Sequence, residues 1–139
     1  SEVRIMPTKK GFEELNKYVK NYLSNLEHDD YNLLDNLKFK AENDYAVYFG
    51  WSWIKWYGSY QSVEAIESGL NHLKDNEMSY RFARIGENYD DYEEYSYESE
   101  NEEEQDLEYP SVIREFDDSY VIEEMGRVSP VKEFEGNEI

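Results

Sequence analysis

The residues in this sequence that could do chemistry are carboxylates, and they are concentrated in one place. Glu87 to Glu108 reads ENYDDYEEYSYESENEEEQDLE, 22 residues with 12 acids and no Lys or Arg. The acids are Glu87, Asp90, Asp91, Glu93, Glu94, Glu98, Glu100, Glu102, Glu103, Glu104, Asp106 and Glu108. A run of like charge is by default a solvated loop. Here Tyr89, Tyr92, Tyr95 and Tyr97 interleave with the acids and supply apolar surface that can anchor the segment to a sheet. On a strand, alternate residues share a face at a spacing of about 6.5–7 Å, which is comparable to the step between phosphates along one nucleic-acid strand. A rank of carboxylates at that spacing offers a phosphate-like field to a protein groove lined with Arg and Lys. Competition with DNA for such a groove needs no catalytic step.

Other chemistries for these acids find less support. A calcium loop of the EF-hand type needs alternating ligands and a glycine, and Asp90-Asp91-Tyr92-Glu93-Glu94-Tyr95 has neither. Carboxylates are too abundant for any pair to be singled out as a glycosidase-like acid and base. The two histidines, His28 and His72, lie outside any metal or general-base motif and read as surface or loop residues. There is no nucleophile elbow, no phosphate-binding glycine loop and no dinucleotide fingerprint. Cysteine is absent, which removes disulfides, thiolate metal sites and cysteine nucleophiles together. The expectation is a non-enzymatic protein with no cofactor and no metal.

The formal net charge of −19 is unevenly distributed. Residues 1–60 carry 8 bases against 9 acids, and residues 61–139 carry 6 against 24. Self-repulsion of that size destabilises a compact state and disfavours direct contact with nucleic acid, so a cationic protein partner is expected. Hydrophobic residues make up 39% and aromatics 17%, enough apolar area for one core in a chain of 139 residues. No segment approaches the apolar length of a membrane span, and Ser1-Glu2-Val3-Arg4 has no apolar signal core behind it, so a cytoplasmic location is expected.

The elements that must position the acids follow from periodicity. Thr8 to Leu26 predicts an amphipathic helix with Phe12, Leu15, Val19, Tyr22, Leu23 and Leu26 on its apolar face, Thr8 as its cap and His28-Asp29-Asp30 beyond its end. A short second helix through Leu33, Leu34 and Leu37 follows. Tyr45 to Tyr57 predicts a strand with Tyr45, Val47, Phe49, Trp51 and Trp53 on one face and a bulge or bend at Gly50. Its aromatic end could instead stack bases or sugars, but core plus one exposed aromatic edge is the simpler expectation. A helix from about Ser62 through Val63, Ile66, Leu70 and Leu73 precedes a strand over Met78 to Ile85. A turn at Gly86-Glu87-Asn88 then lets Tyr92 to Tyr97 pair back. Val112-Ile113 and Tyr120-Val121-Ile122 suggest a further hairpin, with a short helix as the alternative. The expected fold is α+β: an antiparallel sheet with helices packed on one face, in the order α-α-β-α-β-β and then that hairpin. Residues 1–127 would form one domain, with the acidic segment 87–108 inside it and residues 128–139 as a loosely attached tail.

In composition the tract Glu87 to Glu108, with Glu115, Asp117, Asp118, Glu123 and Glu124, resembles the acidic DNA-mimic inhibitors of phages and mobile elements, the anti-restriction and some anti-CRISPR proteins. Those inhibitors share neither a fold nor a motif, so no residue roles carry over. The nearly neutral first half also departs from mimics that are acidic all round. The resemblance implies an inhibitor of a bacterial host's CRISPR effector or restriction nuclease that occupies its basic groove. The partner surface would comprise the twelve acids with Tyr89, Tyr92 and Tyr95. An immunity or antitoxin-like protein directed at one cationic toxin, or an acidic regulatory domain, are the alternatives.

Overall fold

The computed structural model describes residues 1–26, 31–88, 90–104 and 118–125. The chain begins with a strand that periodicity does not reveal, β1 (Glu2–Pro7), five of whose six residues are buried. Glu2-Val3-Arg4-Ile5 alternates polar and apolar, but four residues running into Met6-Pro7 are too few to establish a period. β1 is the centre of a five-stranded sheet ordered β2-β3-β1-β4-β5, with β2 (Phe39–Glu42), β3 (Val47–Trp51), β4 (Tyr80–Ile85) and β5 (Tyr92–Tyr97). Every pairing is antiparallel.

Helices α1 (Lys9–Ser24) and α2 (Gln61–Asp75) cover one face. Thr8 caps α1 as expected, its side chain accepting from the Gly11 amide at 3.0 Å. Leu15, Val19 and Leu23 of α1, with Val63, Ile66, Leu70 and Leu73 of α2, pack onto Val3, Ile5, Val47, Phe49, Trp51 and Phe82. Phe12, Tyr22 and Leu26 sit half-buried at the margin of this core. The expected second helix is a single 3₁₀ turn, Leu33–Asn36, capped by the Asn32 side chain. His28, Asp29 and Asp30 lie outside the described residues. His72 is an ordinary helix residue, stacked on Tyr18 and 2.8 Å from Glu14.

The expectation of helices on one face holds for α1 and α2 but not for α3 (Asp118–Met125). Met6, Phe39, Ala41, Ala46 and Tyr48 make the opposite face of the sheet apolar, and Val121 and Met125 of α3 cover it. Tyr120-Val121-Ile122 is therefore helical rather than one arm of a hairpin; Val112-Ile113 and residues 126–139 lie outside the described residues. Asp118 fastens α3 down. Its carboxylate takes both Nε and Nη2 of the buried Arg4, at 3.0 and 2.8 Å, and the Tyr48 hydroxyl at 2.9 Å. Burial works against the Arg4 charge, and Asp118 more than offsets it. Burial, reinforced by Asp118, pushes the Tyr48 hydroxyl far above the usual phenol range.

Gly50 is not a bulge. It pairs regularly with Arg4 on one side and Phe39 on the other. A Cβ there would overlap the Val3 carbonyl and stand 2.9 Å from Cδ of Arg4, so glycine makes room for the arginine lying across it. The expected long strand ends at Trp51, which donates its indole N–H to the Leu33 carbonyl. Tyr45 packs with the α3 side, and Trp53 leaves the sheet altogether with φ 58° and 82% of its surface exposed. Among the described residues no helix is long and apolar enough to cross a membrane.

Candidate acidic interface

The hairpin of β4 and β5 forms as the sequence predicts, with Tyr80 opposite Tyr97, Phe82 opposite Tyr95 and Arg84 opposite Glu93. It closes through Gly86, whose amide donates to the Asp91 carbonyl, and through the Asp91 amide donating to Asn88. The bond between the opposed residues Gly86 and Asp91 sets the ladder phase, because hydrogen-bonded pairs recur every second residue. Residues 93, 95 and 97 therefore turn their backbone groups toward β4, while those of Tyr92, Glu94 and Ser96 face outward from the sheet edge. Every residue of β5 but Tyr97 is exposed.

Strand alternation divides the tract. Glu93, Tyr95 and Tyr97 share the face of α1 and α2, and Tyr92, Glu94 and Ser96 share the face of α3. Each face of β5 thus receives one carboxylate, and the rank of acids on a single strand face does not form. The sequence YEEYSY places its two glutamates at adjacent rather than alternate positions. The remaining acids gather at the two ends of β5, Glu87, Asp90 and Asp91 at one and Glu98 to Glu104 at the other, separated by the roughly 20 Å that a six-residue strand spans.

Within these groups the carboxylates differ. Arg84 holds two of them, Asp91 at 2.7 Å and Glu93 at 3.0 Å. That hydrogen bond keeps Asp91 below the usual carboxylate range, and Lys10, 2.8 Å from Glu103, does the same for Glu103. Arg81 lies 3.6 Å from Glu98. Glu104 is not at the surface: it is 3% exposed, accepts from the Thr8 hydroxyl at 3.0 Å and the Ser79 amide at 2.9 Å, and receives the Ser79 hydroxyl on its carbonyl. It fastens the end of the tract to the start of α1. Glu87, Asp90, Glu94 and Glu102 are exposed and make no ion pair among the described residues, and Glu100 is exposed beside them. Tyr89, Asp106 and Glu108 lie outside the described residues.

The tyrosines anchor the edge unequally. Tyr95 stacks on Phe82 at 4.5 Å between centroids and meets Tyr80 edge-on, keeping 40% of its surface exposed. Burial and then the neighbouring Glu67 push its hydroxyl well above the phenol range. Tyr92, 58% exposed, covers little. Glu67 of α2 is itself raised above the carboxylate range, by burial first and by Glu93 second. Sequence reasoning overlooked Glu67, because it lies in an ordinary helix and meets the tract only through folding. Among the described residues no group of three or more His, Asp or Glu is arranged to hold a metal ion.

No protein-family model, curated protein or solved structure matches this chain.

Proposed function

We propose that the chain is an acidic, non-catalytic binding protein that inhibits a nucleic-acid-binding defence enzyme of a bacterial host by occupying its basic groove. The observation that carries this reading is the exposed edge of β5 with the segments flanking it. Residues 87–104 hold ten acids and no base, and four of those acids, Glu87, Asp90, Glu94 and Glu102, are exposed without an ion pair among the described residues. Two acidic groups about 20 Å apart span roughly six base-pair steps of duplex, so a groove that follows a phosphate backbone can engage both at once. Mimicry then rests on the ends of the strand rather than on one of its faces. The steering field falls with ionic strength, as it does for nucleic acid.

The charge also shapes the edge strand's own behaviour. Among the described residues β5 is an edge strand, which invites pairing with a second copy, and Glu94, which has no ion pair among those residues, opposes that by repulsion. A cationic partner meets no such penalty. The reading is tested by capture from bacterial lysate at low and high salt, followed by DNA-binding and cleavage assays on the captured enzyme. Salt-released capture of a nuclease whose DNA binding is then blocked supports the proposal. Capture of a small toxin without nuclease activity favours the immunity reading instead, which the single exposed Trp53 also suits, since dedicated partners rely on a few aromatic anchors.

A further inference from the structure

Trp53 is the most exposed large apolar side chain among the described residues, and its backbone is left-handed, a conformation that tryptophan gains nothing by adopting locally. The loop that carries it is nevertheless fixed. The Ser1 amino group donates to the Ile54 carbonyl at 2.7 Å, and the Ile54 amide donates to the Ser1 carbonyl at 3.0 Å. Both oxygens of Glu2 are used as well, one accepting from the Ser52 hydroxyl at 2.8 Å and the other from the Trp53 amide at 3.2 Å. Farther along the loop, Tyr57 and Tyr60 meet edge to face at 5.4 Å and stay 56% and 44% exposed. The indole is thus presented by a held backbone, and little ordering entropy remains to be lost when a partner covers it.

The sheet register sets this loop at the same end of the molecule as the acidic turn. Val3 pairs with Trp51 and Arg84, and Glu2 pairs with Ile85, which pairs with Tyr92. From the end of β3 to the start of β5 is three strand spacings, about 14 Å. One interface patch of ordinary size covers both. Lys55 is the one base of residues 52–60 and Arg84 already holds Asp91, so attraction for a cation comes from the turn acids Glu87 and Asp90 rather than from the loop.

Resting on the acidic-interface reading above, we infer that this end of the sheet is a docking surface for an arginine-bearing segment of a protein, with Trp53 stacking on a guanidinium that Glu87 and Asp90 attract. A guanidinium is planar and weakly hydrated and stacks on an indole, whereas an ammonium holds its water. The surface therefore selects arginine over lysine.

The test is fluorescence anisotropy of labelled deca-arginine and deca-lysine titrated with the protein at fixed ionic strength. The wild type is expected to bind deca-arginine about two- to fivefold more tightly than deca-lysine. Trp53→Ala is expected to erase that preference, with deca-arginine losing more affinity than deca-lysine. Equal affinities in the wild type, or a preference that survives Trp53→Ala, overturn the inference and leave salt-sensitive binding of both peptides as support for the acidic interface. Failure of both peptides to bind overturns the two together.

Discussion

Asp118→Ala removes the partner that lets Arg4 lie inside the sheet. Arg4 is 3% exposed and loses two hydrogen bonds of 3.0 and 2.8 Å, while Tyr48 loses one of 2.9 Å. Breaking a buried ion pair from one side costs about 3–5 kcal/mol. Asp118 retains 24% of its side-chain exposure, and Arg4 keeps the Glu2 carboxylate at 3.6 Å and the carbonyls of Val3 and Trp51 at 3.0 and 2.8 Å. Those remaining contacts set the expected loss near the lower limit, about 3 kcal/mol. With a urea slope of about 1.5 kcal/mol per molar, the midpoint should fall by about 2 M with little change in slope. Replacing both charges, Arg4→Met with Asp118→Leu, should recover most of the loss, because two apolar side chains leave no unpaired charge behind. A single-mutant loss below about 1 kcal/mol would refute the reasoning, since Arg4 would then not depend on Asp118 and α3 would be held by Val121 and Met125 alone.

Three further outcomes follow from individual residues. Glu67 has a raised pKa in the folded chain, so its ionised form costs stability at neutral pH and that cost disappears as pH falls through the raised value. Glu67→Gln should therefore raise the melting temperature at pH 7, with the gain vanishing well below the ordinary glutamate value of about 4.3, as a pH series of thermal melts would show. Glu104→Ala should destabilise by about 2–3 kcal/mol in urea titrations, because the Thr8 hydroxyl and the Ser79 amide lose a buried acceptor. Trp53→Gly relieves a left-handed tryptophan and should stabilise by up to about 1 kcal/mol, measured in the same way; a loss of stability would mean that the indole contributes to the fold.

The sequence made some of this architecture legible and concealed the rest for identifiable reasons. The stripes of α1 and α2 and the hairpin of β4 and β5 could be read because each element buries one side and shows the other, as Leu15, Val19 and Leu23 do on α1. β1 could not, since Glu2-Val3-Arg4-Ile5 alternates over four residues only before Met6-Pro7, and Arg4, which reads as solvent-facing, is buried against Asp118. β2 has only four residues, too few to establish a period. Tyr120-Val121-Ile122 suits a strand or a short helix, and what holds α3 as a helix is the long-range pairing of Asp118 with Arg4. At the interface, the location of the acids was plain from composition, but their distribution was not. Adjacent glutamates in YEEYSY split across the sheet, Arg84 claims Asp91 and Glu93, and Glu104 turns inward to serve Thr8. Trp53 escaped because alternation assigns it to the face of Trp51, and only its positive φ takes it elsewhere.

If unpaired carboxylates around β5 bind a basic groove, neutralising the four exposed ones together removes most of that binding. The variant carries Glu87→Gln, Asp90→Asn, Glu94→Gln and Glu102→Gln, and its inhibition of DNA binding by the captured nuclease is compared with wild type across a salt series. Potency should fall at least tenfold and depend less steeply on salt, with a melting temperature equal to or above that of the wild type. Unchanged potency in a folded variant would contradict that mode of binding.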